Sequence, residues 1–340
     1  MLSKTKLGYF SFFLILFSIA IYVLLPSALP KTIPADSKID VQIGPRWPLE
    51  VTAVKYPSSA DNTLQPAIFY APNTTDSVPL LVALHTWTGD YRQALNAPLA
   101  KWCIENNWAF IHPNFRGPNN KFEAIGSDLV IQDILSAVKF AKNYANIDTH
   151  NIYLVGASGG GHAALMVAAT HPNIWAGVSV WVPITDLTVW YQETQTLDGQ
   201  YRIFLEQALG GAPGTSPTVD LEYKTRSPLT YLSSSTHLNL DINTGIHDGH
   251  NGPVPISHSL LAYNALVTPE DQISPNDIKY FVEQEKVPQH LINPLLSDPS
   301  YGEKPPIFRT QSGTTRLTIF EGGHEIIINA VTSWLTQNIK

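Results

Sequence analysis

Apolar and polar positions along the chain follow two periods, one typical of strands and one typical of helices. Short apolar runs predict strands at about 80–86, 109–113, 151–155 and 176–182, and a longer run with helical spacing predicts a helix over about 128–144. Strands that alternate with helices in this way indicate a mostly parallel, doubly wound sheet with helices on both faces. We therefore expect an α/β protein.

Further strands are predicted before and after this alternating region. Residues 50–56 and 65–70 alternate around a polar turn, which predicts an antiparallel hairpin ahead of the parallel strands. Residues 238–246 also alternate, and 317–320 form one more apolar run, which is followed by apolar positions at helical spacing.

Two stretches interrupt the rhythm. The first, about 185–237, contains a short helical pattern and a glycine-rich turn, and we interpret it as a cap over the edge of the sheet. Binding loops of doubly wound sheets lie at the carboxyl ends of the strands, which favours this interpretation. The second, 274–306, predicts a further helix and a long loop.

Composition indicates one large unit, predicted to span 48–340, because 44% of the 340 residues are hydrophobic and no repeat interrupts the pattern. The net charge is −7, and no basic cluster follows the first few residues, so nucleic acid is not an expected partner. The single cysteine, Cys103, cannot form an internal disulfide.

The amino terminus predicts export. Lys4 and Lys6 precede an uncharged run over 7–30, longer than the roughly 7–15 residues of a signal-peptide core and close to the ~20 residues that span a bilayer. We interpret 1–30 as a signal anchor or signal peptide and 31–47 as a linker. An uncleaved anchor is favoured, with the remainder facing outward; cleavage would give a periplasmic or secreted protein.

A G-x-S-x-G turn carries the candidate chemistry. It occupies 156–160, follows the strand at 151–155 and opens a helix of small residues. A strand that turns sharply into a helix lifts the serine oxygen above the sheet, and the flanking glycines avoid Cβ clashes. Ser158 is the expected nucleophile, with the Gly159 N–H free to stabilise an oxyanion. The alternative is a purely structural glycine-rich turn.

A serine nucleophile needs a base and an acid, which in such a fold follow in the order acid, then histidine. Asp248 follows the strand at 238–246 in a glycine-rich loop, and His324 follows the strand at 317–320. These two residues are the expected acid and base. Asp241, within the earlier strand, is the fallback acid.

Four other histidines lie near segments that carry the candidate chemistry. His85 ends a strand and opens a segment in which the Trp87 N–H is the expected second oxyanion donor, with the Thr86 N–H as its neighbour. His247, His250 and His258 cluster near the acid, but no further Cys or His spacing supports a metal site there. No cofactor is implied.

Several segments together resemble the catalytic domain of the prolyl oligopeptidase family within the α/β-hydrolases. The resemblance covers about 48–340 and implies the α/β-hydrolase fold and a serine peptidase or esterase. The matching segments are Asn114-Phe115-Arg116-Gly117, Gly126-Ser127-Asp128 with Asp133, the turn at 156–160, 227–232, Val254-Pro255 and Glu321-Gly322-Gly323-His324.

Two departures from the family limit this resemblance. Residues 249–253 separate Asp248 from Val254-Pro255, so the acid loop is longer than usual. The peptidases of the family carry a propeller ahead of the hydrolase domain, and none is expected in the residues that precede the first hydrolase strand here.

The expected function is that of an exported serine hydrolase acting through an acyl-enzyme on a small-molecule ester or a peptide. An esterase on short-acyl esters, including esters of carbohydrates, is favoured over a peptidase, and a non-catalytic binding protein is the alternative of another class. Trp181, Trp190 and Tyr191 are candidate substrate contacts, since aromatic faces stack on sugars and acyl groups; the alternative is that they pack in the core or cap.

Overall fold

One mixed sheet runs through the molecule. The structure, a computed structural model, describes residues 31–197, 199–235 and 237–339. Within these ranges the sheet has nine strands, which are β1 (Thr52–Pro57), β2 (Leu64–Tyr70), β3 (Val78–Leu84), β4 (Ala109–Pro113), β5 (Ile147–Ala157), β6 (Gly177–Trp181), β7 (Leu240–Gly245), β8 (Pro306–Ser312) and β9 (Thr315–Phe320).

The helices fill the connections between strands. In the same described ranges they are α1 (Ala97–Glu105), α2 (Asp128–Tyr144), α3 (Gly159–Thr170), α4 (Leu187–Leu197), α5 (Gly199–Leu209), α6 (Pro217–Thr225), α7 (Leu229–Leu232), α8 (Ser257–Leu266), α9 (Pro275–Gln284) and α10 (Ile328–Gln337).

The strand order is β1-β2-β4-β3-β5-β6-β7-β9-β8. The six central strands, from β4 to β9 in this order, pair in parallel, whereas β1 with β2, β2 with β4, and β8 with β9 pair antiparallel. The predicted mostly parallel sheet and its leading hairpin are therefore confirmed. The carboxyl ends of β5, β7 and β9 lie on one edge, which brings the loops that follow them together.

Two apolar layers cover the two faces of the sheet, as the period of two along each strand requires. Leu80 and Val82 of β3 face one layer, which also holds residues of α2, α3 and α8. Leu81 and Ala83 face the other, with residues of α1 and α10. Burial of alternate side chains on opposite sides explains why the central strands read as almost continuous apolar runs.

Two segments differ from the sequence expectation. The edge strand β8 was not predicted, and it pairs with β9 immediately after the stretch interpreted as an insertion. The segment interpreted as a linker, 31–47, contacts the sheet: Lys38 forms a bridge with Val54, and the Trp47 side chain is buried.

The stretch interpreted as a cap contains α4 to α7. Its helices pack in a separate apolar cluster that includes Trp87, Ile184 and Val254 from the loops after β3, β6 and β7. The segment interpreted as an anchor or signal peptide, 1–30, lies outside the described residues. Among the residues that are described, no helix has the length and apolar character needed to span a bilayer.

Candidate active site

Ser158 occupies the sharp turn between β5 and α3. Its φ of 57° and ψ of −121° place a non-glycine residue in a strained region, which sequences rarely retain without a functional reason. The neighbours must be glycine: a Cβ on Gly156 would lie 2.1 Å from the Gly160 carbonyl oxygen, and one on Gly160 would lie 2.7 Å from the His85 carbonyl oxygen. The glycine pattern in the sequence therefore reflects direct backbone contact.

A chain of hydrogen bonds connects Ser158 to His324 and Asp248. The Ser158 Oγ lies 2.8 Å from His324 Nε2, and His324 Nδ1 lies 2.7 Å from Asp248 Oδ2. With the imidazole neutral and protonated at Nδ1, the ring donates to the carboxylate and accepts from the serine hydroxyl. Ser158 follows β5, Asp248 follows β7 and His324 follows β9. The fold brings these three predicted side chains together.

Asp248 is fixed by its own loop. Its Oδ1 accepts the N–H groups of Gly249, at 3.1 Å, and Val254, at 3.2 Å, and its side chain is fully buried. A Cβ on Gly252 would lie 2.3 Å from Asp248 Oδ1 and 2.7 Å from His324 Cβ. The additional residues of the acid loop thus fold tightly over the aspartate and the histidine, and glycine is required at this approach.

Two backbone N–H groups flank the serine. The Trp87 nitrogen lies 2.6 Å from the position that a Cβ on Gly159 would take, so the two predicted oxyanion donors are adjacent. The Thr86 N–H donates to Gln93 Oε1 at 2.8 Å and is already occupied. Within the described part of the chain, the Trp87 N–H has no protein acceptor. Trp87 rather than Thr86 is therefore positioned to receive an oxyanion.

His85 supports the loop that carries Trp87. Its ring nitrogens lie 2.9 Å from the Thr86 carbonyl oxygen and 2.6 Å from that of Asn114, and its ring stacks on Phe115 at 3.9 Å. Burial lowers the pKa of His85, although both carbonyls favour its protonated form. The supporting roles of His85 and Gln93 were not identifiable from the sequence, because they depend on how the chain folds back on itself.

The fallback acid, Asp241, lies within the sheet. It accepts hydrogen bonds from Arg316 at 2.8 Å, from Ser179 at 2.9 Å and from Asn243 at 2.8 Å. Its carboxylate is thereby occupied by partners other than His324, which Asp248 contacts.

The three histidines near the acid loop contact carboxylates and backbone groups, and His247 and His250 both lie near Glu285. His247 contacts Glu285 and Glu321, His250 contacts the Val282 carbonyl oxygen, and His258 contacts Glu193 and Thr185. In the ranges that the structure describes, no three Cys, His or acidic side chains are grouped so as to hold a metal ion.

The Trp181 ring is a core residue, contrary to its interpretation as a substrate contact. It is fully buried beside Tyr301 and Phe320, and its Nε1–H donates to Ser179 Oγ at 3.0 Å. The register of β6 places this ring on the face of the sheet that packs against α1 and α10.

Trp190 and Tyr191 lie in α4, within the stretch interpreted as a cap. Trp190 packs against Trp87 with 4.7 Å between ring centroids, and its Nε1–H donates to the Pro253 carbonyl oxygen at 2.8 Å. The Tyr191 hydroxyl donates to Glu206. Both rings are buried. These contacts agree with the packing alternative, and substrate contact by either ring stays a prediction.

A family model matches more than half of the chain. The sequence profile of the prolyl oligopeptidase family matches residues 100–285. No curated protein sequence matches the chain.

Solved structures with the same fold include peptidases and an esterase. The acylaminoacyl peptidase of Pyrococcus horikoshii has a TM-score of 0.50 and 18% identity over 64% of this chain and 35% of its own. A puromycin-hydrolyzing peptidase of Mycobacterium tuberculosis has a TM-score of 0.56 and 14% identity over 85% of this chain and 39% of its own. The acetyl xylan esterase of Paenibacillus sp. R4 has a TM-score of 0.58 and 15% identity over 92% of this chain and 88% of its own.

These similarities confirm the α/β-hydrolase fold. The chain spans about a third of the length of the acylaminoacyl peptidase and nearly all of the length of the esterase. Among the described residues every strand belongs to the single sheet, and there is no propeller.

Proposed function

The chain belongs to the prolyl oligopeptidase family and is a serine hydrolase, and on that premise we propose that Ser158, His324 and Asp248 are its catalytic triad. The observation that carries this proposal is the continuous chain of hydrogen bonds from Ser158 through His324 to Asp248, at 2.8 Å and 2.7 Å. A non-catalytic binding protein would have no need of a strained serine joined to that pair.

The proposed reaction proceeds through an acyl-enzyme. Ser158 Oγ attacks the substrate carbonyl carbon while His324 Nε2 takes the hydroxyl proton, and the resulting oxyanion accepts hydrogen bonds from the Gly159 and Trp87 N–H groups. The imidazolium then gives its proton to the leaving group as the carbonyl re-forms. Water repeats both steps on the acyl-enzyme and releases the acid. Asp248 keeps the imidazole oriented and stabilises its charge.

We propose a short-acyl ester, including an acetylated carbohydrate, as the substrate. The acetyl xylan esterase is matched over nearly its whole length, whereas the peptidases are matched over little more than a third of theirs. Ester bonds also have a better leaving group than amides. Peptidase activity is the second candidate, because the family and several structural neighbours include peptidases.

Labelling and turnover of the full-length protein test this function together. Wild-type protein should react with a fluorophosphonate probe and hydrolyse p-nitrophenyl acetate, with a kcat/KM at least ~10²-fold above that for matched peptide p-nitroanilides. Ser158→Ala should abolish labelling and hydrolysis, whereas Ser333→Ala, a serine on α10, should change neither. Labelling that survives Ser158→Ala contradicts the triad, and efficient peptide cleavage without esterase activity would reverse the order of the two substrates.

We propose that the protein is exported, with 1–30 as an uncleaved membrane anchor. Support comes from the two lysines that precede the uncharged run over 7–30. Full-length protein should fractionate with membranes and retain its first residues by mass spectrometry. Recovery only of a soluble chain that begins near residue 21 or 28 would indicate a cleaved signal peptide instead.

A further inference from the structure

His247 immediately precedes Asp248 and lies between two carboxylates. Its Nδ1 lies 2.6 Å from Glu285 Oε2, and its Nε2 lies 2.7 Å from Glu321 Oε1. Its backbone N–H donates to the Gly322 carbonyl oxygen at 3.0 Å. We call His247, Glu285 and Glu321 the histidine clasp.

The histidine clasp joins three separate segments of the chain. His247 belongs to the acid loop after β7, Glu285 ends α9, and Glu321 follows β9 three residues before His324. The acid loop and the histidine loop must hold two side chains within hydrogen-bond distance for the triad to act. The histidine clasp is a contact that bridges these two loops outside the triad.

The chemistry of the imidazole makes the clasp sensitive to charge. Only the imidazolium has an N–H on both nitrogens, so only the cation donates to both carboxylates. The neutral ring would direct one lone pair at a carboxylate oxygen and leave two carboxylates facing one another. The hydrogen bonds that His247 donates to Glu285 and, to a smaller extent, to Glu321 raise its pKa above the ordinary value of 6.5.

We propose that His247 is a positioning residue of the active site: its cation binds Glu285 and Glu321 and holds the acid loop against the histidine loop, so that Asp248 stays at His324 Nδ1. The inference rests on the proposed function, since it assumes that this pair takes part in the reaction. His247 acts through the two loops and does not touch the reacting atoms.

The titratable groups around His247 come from three elements. Glu285 comes from the end of α9, Glu321 from the end of β9, and His250, on the acid loop, places its Nδ1 3.6 Å from Glu285 Oε1. His250 Nε2 also contacts the Val282 carbonyl oxygen at 2.6 Å. The His247 side chain is 33% exposed, so salt will weaken the clasp but not abolish it.

The length of the acid loop makes an additional contact at its start important. Residues 249–253 lengthen the connection between Asp248 and Val254-Pro255, and a longer loop has more conformations to lose when it is ordered. The two backbone N–H donors fix Asp248 from one side. The clasp fixes the start of the loop from the other side.

The sign of the pH effect follows from the direction of the pKa shift. The clasp contributes fully below about pH 6.5, where His247 is charged, and above about pH 5, where glutamates are ordinarily ionised. Its contribution is lost as pH rises through the raised pKa of the folded protein. The rate should therefore decline on the alkaline side as the clasp loses its cation.

The test compares full-length wild-type protein with His247→Gln, His247→Lys and Glu321→Gln on p-nitrophenyl acetate across pH 5.5 to 9. At pH 6.5, His247→Gln should lower kcat about 10-fold, since small displacements of a reacting group cost 10- to 100-fold, and should leave KM within about 2-fold. The alkaline decline should disappear in His247→Gln. It should move to lower pH in Glu321→Gln, and to higher pH in His247→Lys, because lysine stays charged.

His290→Gln is the matched control. His290 also pairs with a carboxylate, Asp277, at 3.3 Å, but it is largely exposed and contacts neither loop of the triad. Its kcat and pH profile should equal those of the wild type.

Two outcomes would overturn the inference, and a third would overturn the proposed function on which it rests. Wild-type kcat and an unchanged pH profile in His247→Gln would overturn it. If that variant does not fold, an unshifted alkaline decline in Glu321→Gln and His247→Lys would overturn it equally. Wild-type protein that neither hydrolyses the ester nor labels at Ser158 would overturn the proposed function instead, which distinguishes the two failures.

Discussion

Two aspartates of the same strand region have opposite environments. Asp241 lies within β7, and Asp248 lies in the loop that follows it; both carboxylates are buried. Asp241 accepts from Arg316 and from two neutral side chains. Asp248 accepts from His324 and from two backbone N–H groups.

The partners of the two aspartates differ in their acid–base chemistry. Arginine stays charged at every pH that a protein meets, so its pair with Asp241 is a fixed ion pair. Histidine gains and loses a proton near neutrality, so a carboxylate beside it stabilises a charge that comes and goes during a reaction. Burial alone therefore does not distinguish the two aspartates; the identity and position of the partner are what support Asp248 as the proposed acid.

The largest expected effect comes from Asp248→Asn. The asparagine would favour the wrong imidazole tautomer, and kcat should fall by about 10⁴-fold while the protein remains folded. Ester hydrolysis, with the melting temperature measured in parallel, checks this. A variant that keeps more than a tenth of the wild-type kcat would remove Asp248 from the triad.

Asp241→Asn should have the reverse pattern. Removing one partner of a buried ion pair leaves Arg316 without its carboxylate and should lower the free energy of unfolding by about 3 kcal/mol. The kcat of the folded fraction should stay within about 2-fold of the wild type. Urea unfolding and active-site titration separate the two quantities. A large loss of kcat with unchanged stability would move the acid to Asp241.

A smaller effect concerns a buried histidine beside the nucleophile turn. His162 lies on α3 beside the nucleophile turn, and its Nε2 contacts the Arg226 carbonyl oxygen at 2.8 Å. Burial lowers the pKa of His162 to about 4. As pH falls from about 6.5 to 4, the unfolded chain binds a proton before the folded chain does, so stability is lost on acidification, by about 2 kcal/mol.

His162→Gln isolates this contribution, because the amide can still donate to the carbonyl but does not titrate. The difference in unfolding free energy between pH 7.5 and pH 4.5, measured in urea, should be about 2 kcal/mol smaller in the variant than in the wild type. Equal pH dependence in both proteins would show that His162 does not resist protonation.

Local patterns predicted much of the fold and of the candidate site. The strand at 109–113 and the helix at 128–144 agree with β4 and α2, because their apolar periods follow directly from burial. Ser158 was identifiable because backbone contact at its turn requires glycine, and His324 because a strand and two glycines precede it in the sequence.

The remaining features depend on contacts between distant segments. Strand β8 is a half-exposed edge strand that begins with proline, and its pattern is weak. The side to which Trp181 points depends on strand register. The role proposed for His247 depends on Glu285 and Glu321, and no sequence pattern indicates that the fold places these two residues at its ring nitrogens.

The hydrogen bond from Trp190 of α4 to the Pro253 carbonyl oxygen has a consequence for protein engineering. Trp190 also packs on Trp87, so one residue of α4 contacts both the loop that carries Trp87 and the acid loop. The stretch interpreted as a cap therefore cannot be exchanged independently of these loops. A chimera that receives the corresponding segment of another hydrolase would need an indole donor at this position. Without it, the loops that carry Trp87 and Asp248 would lose a contact that holds them.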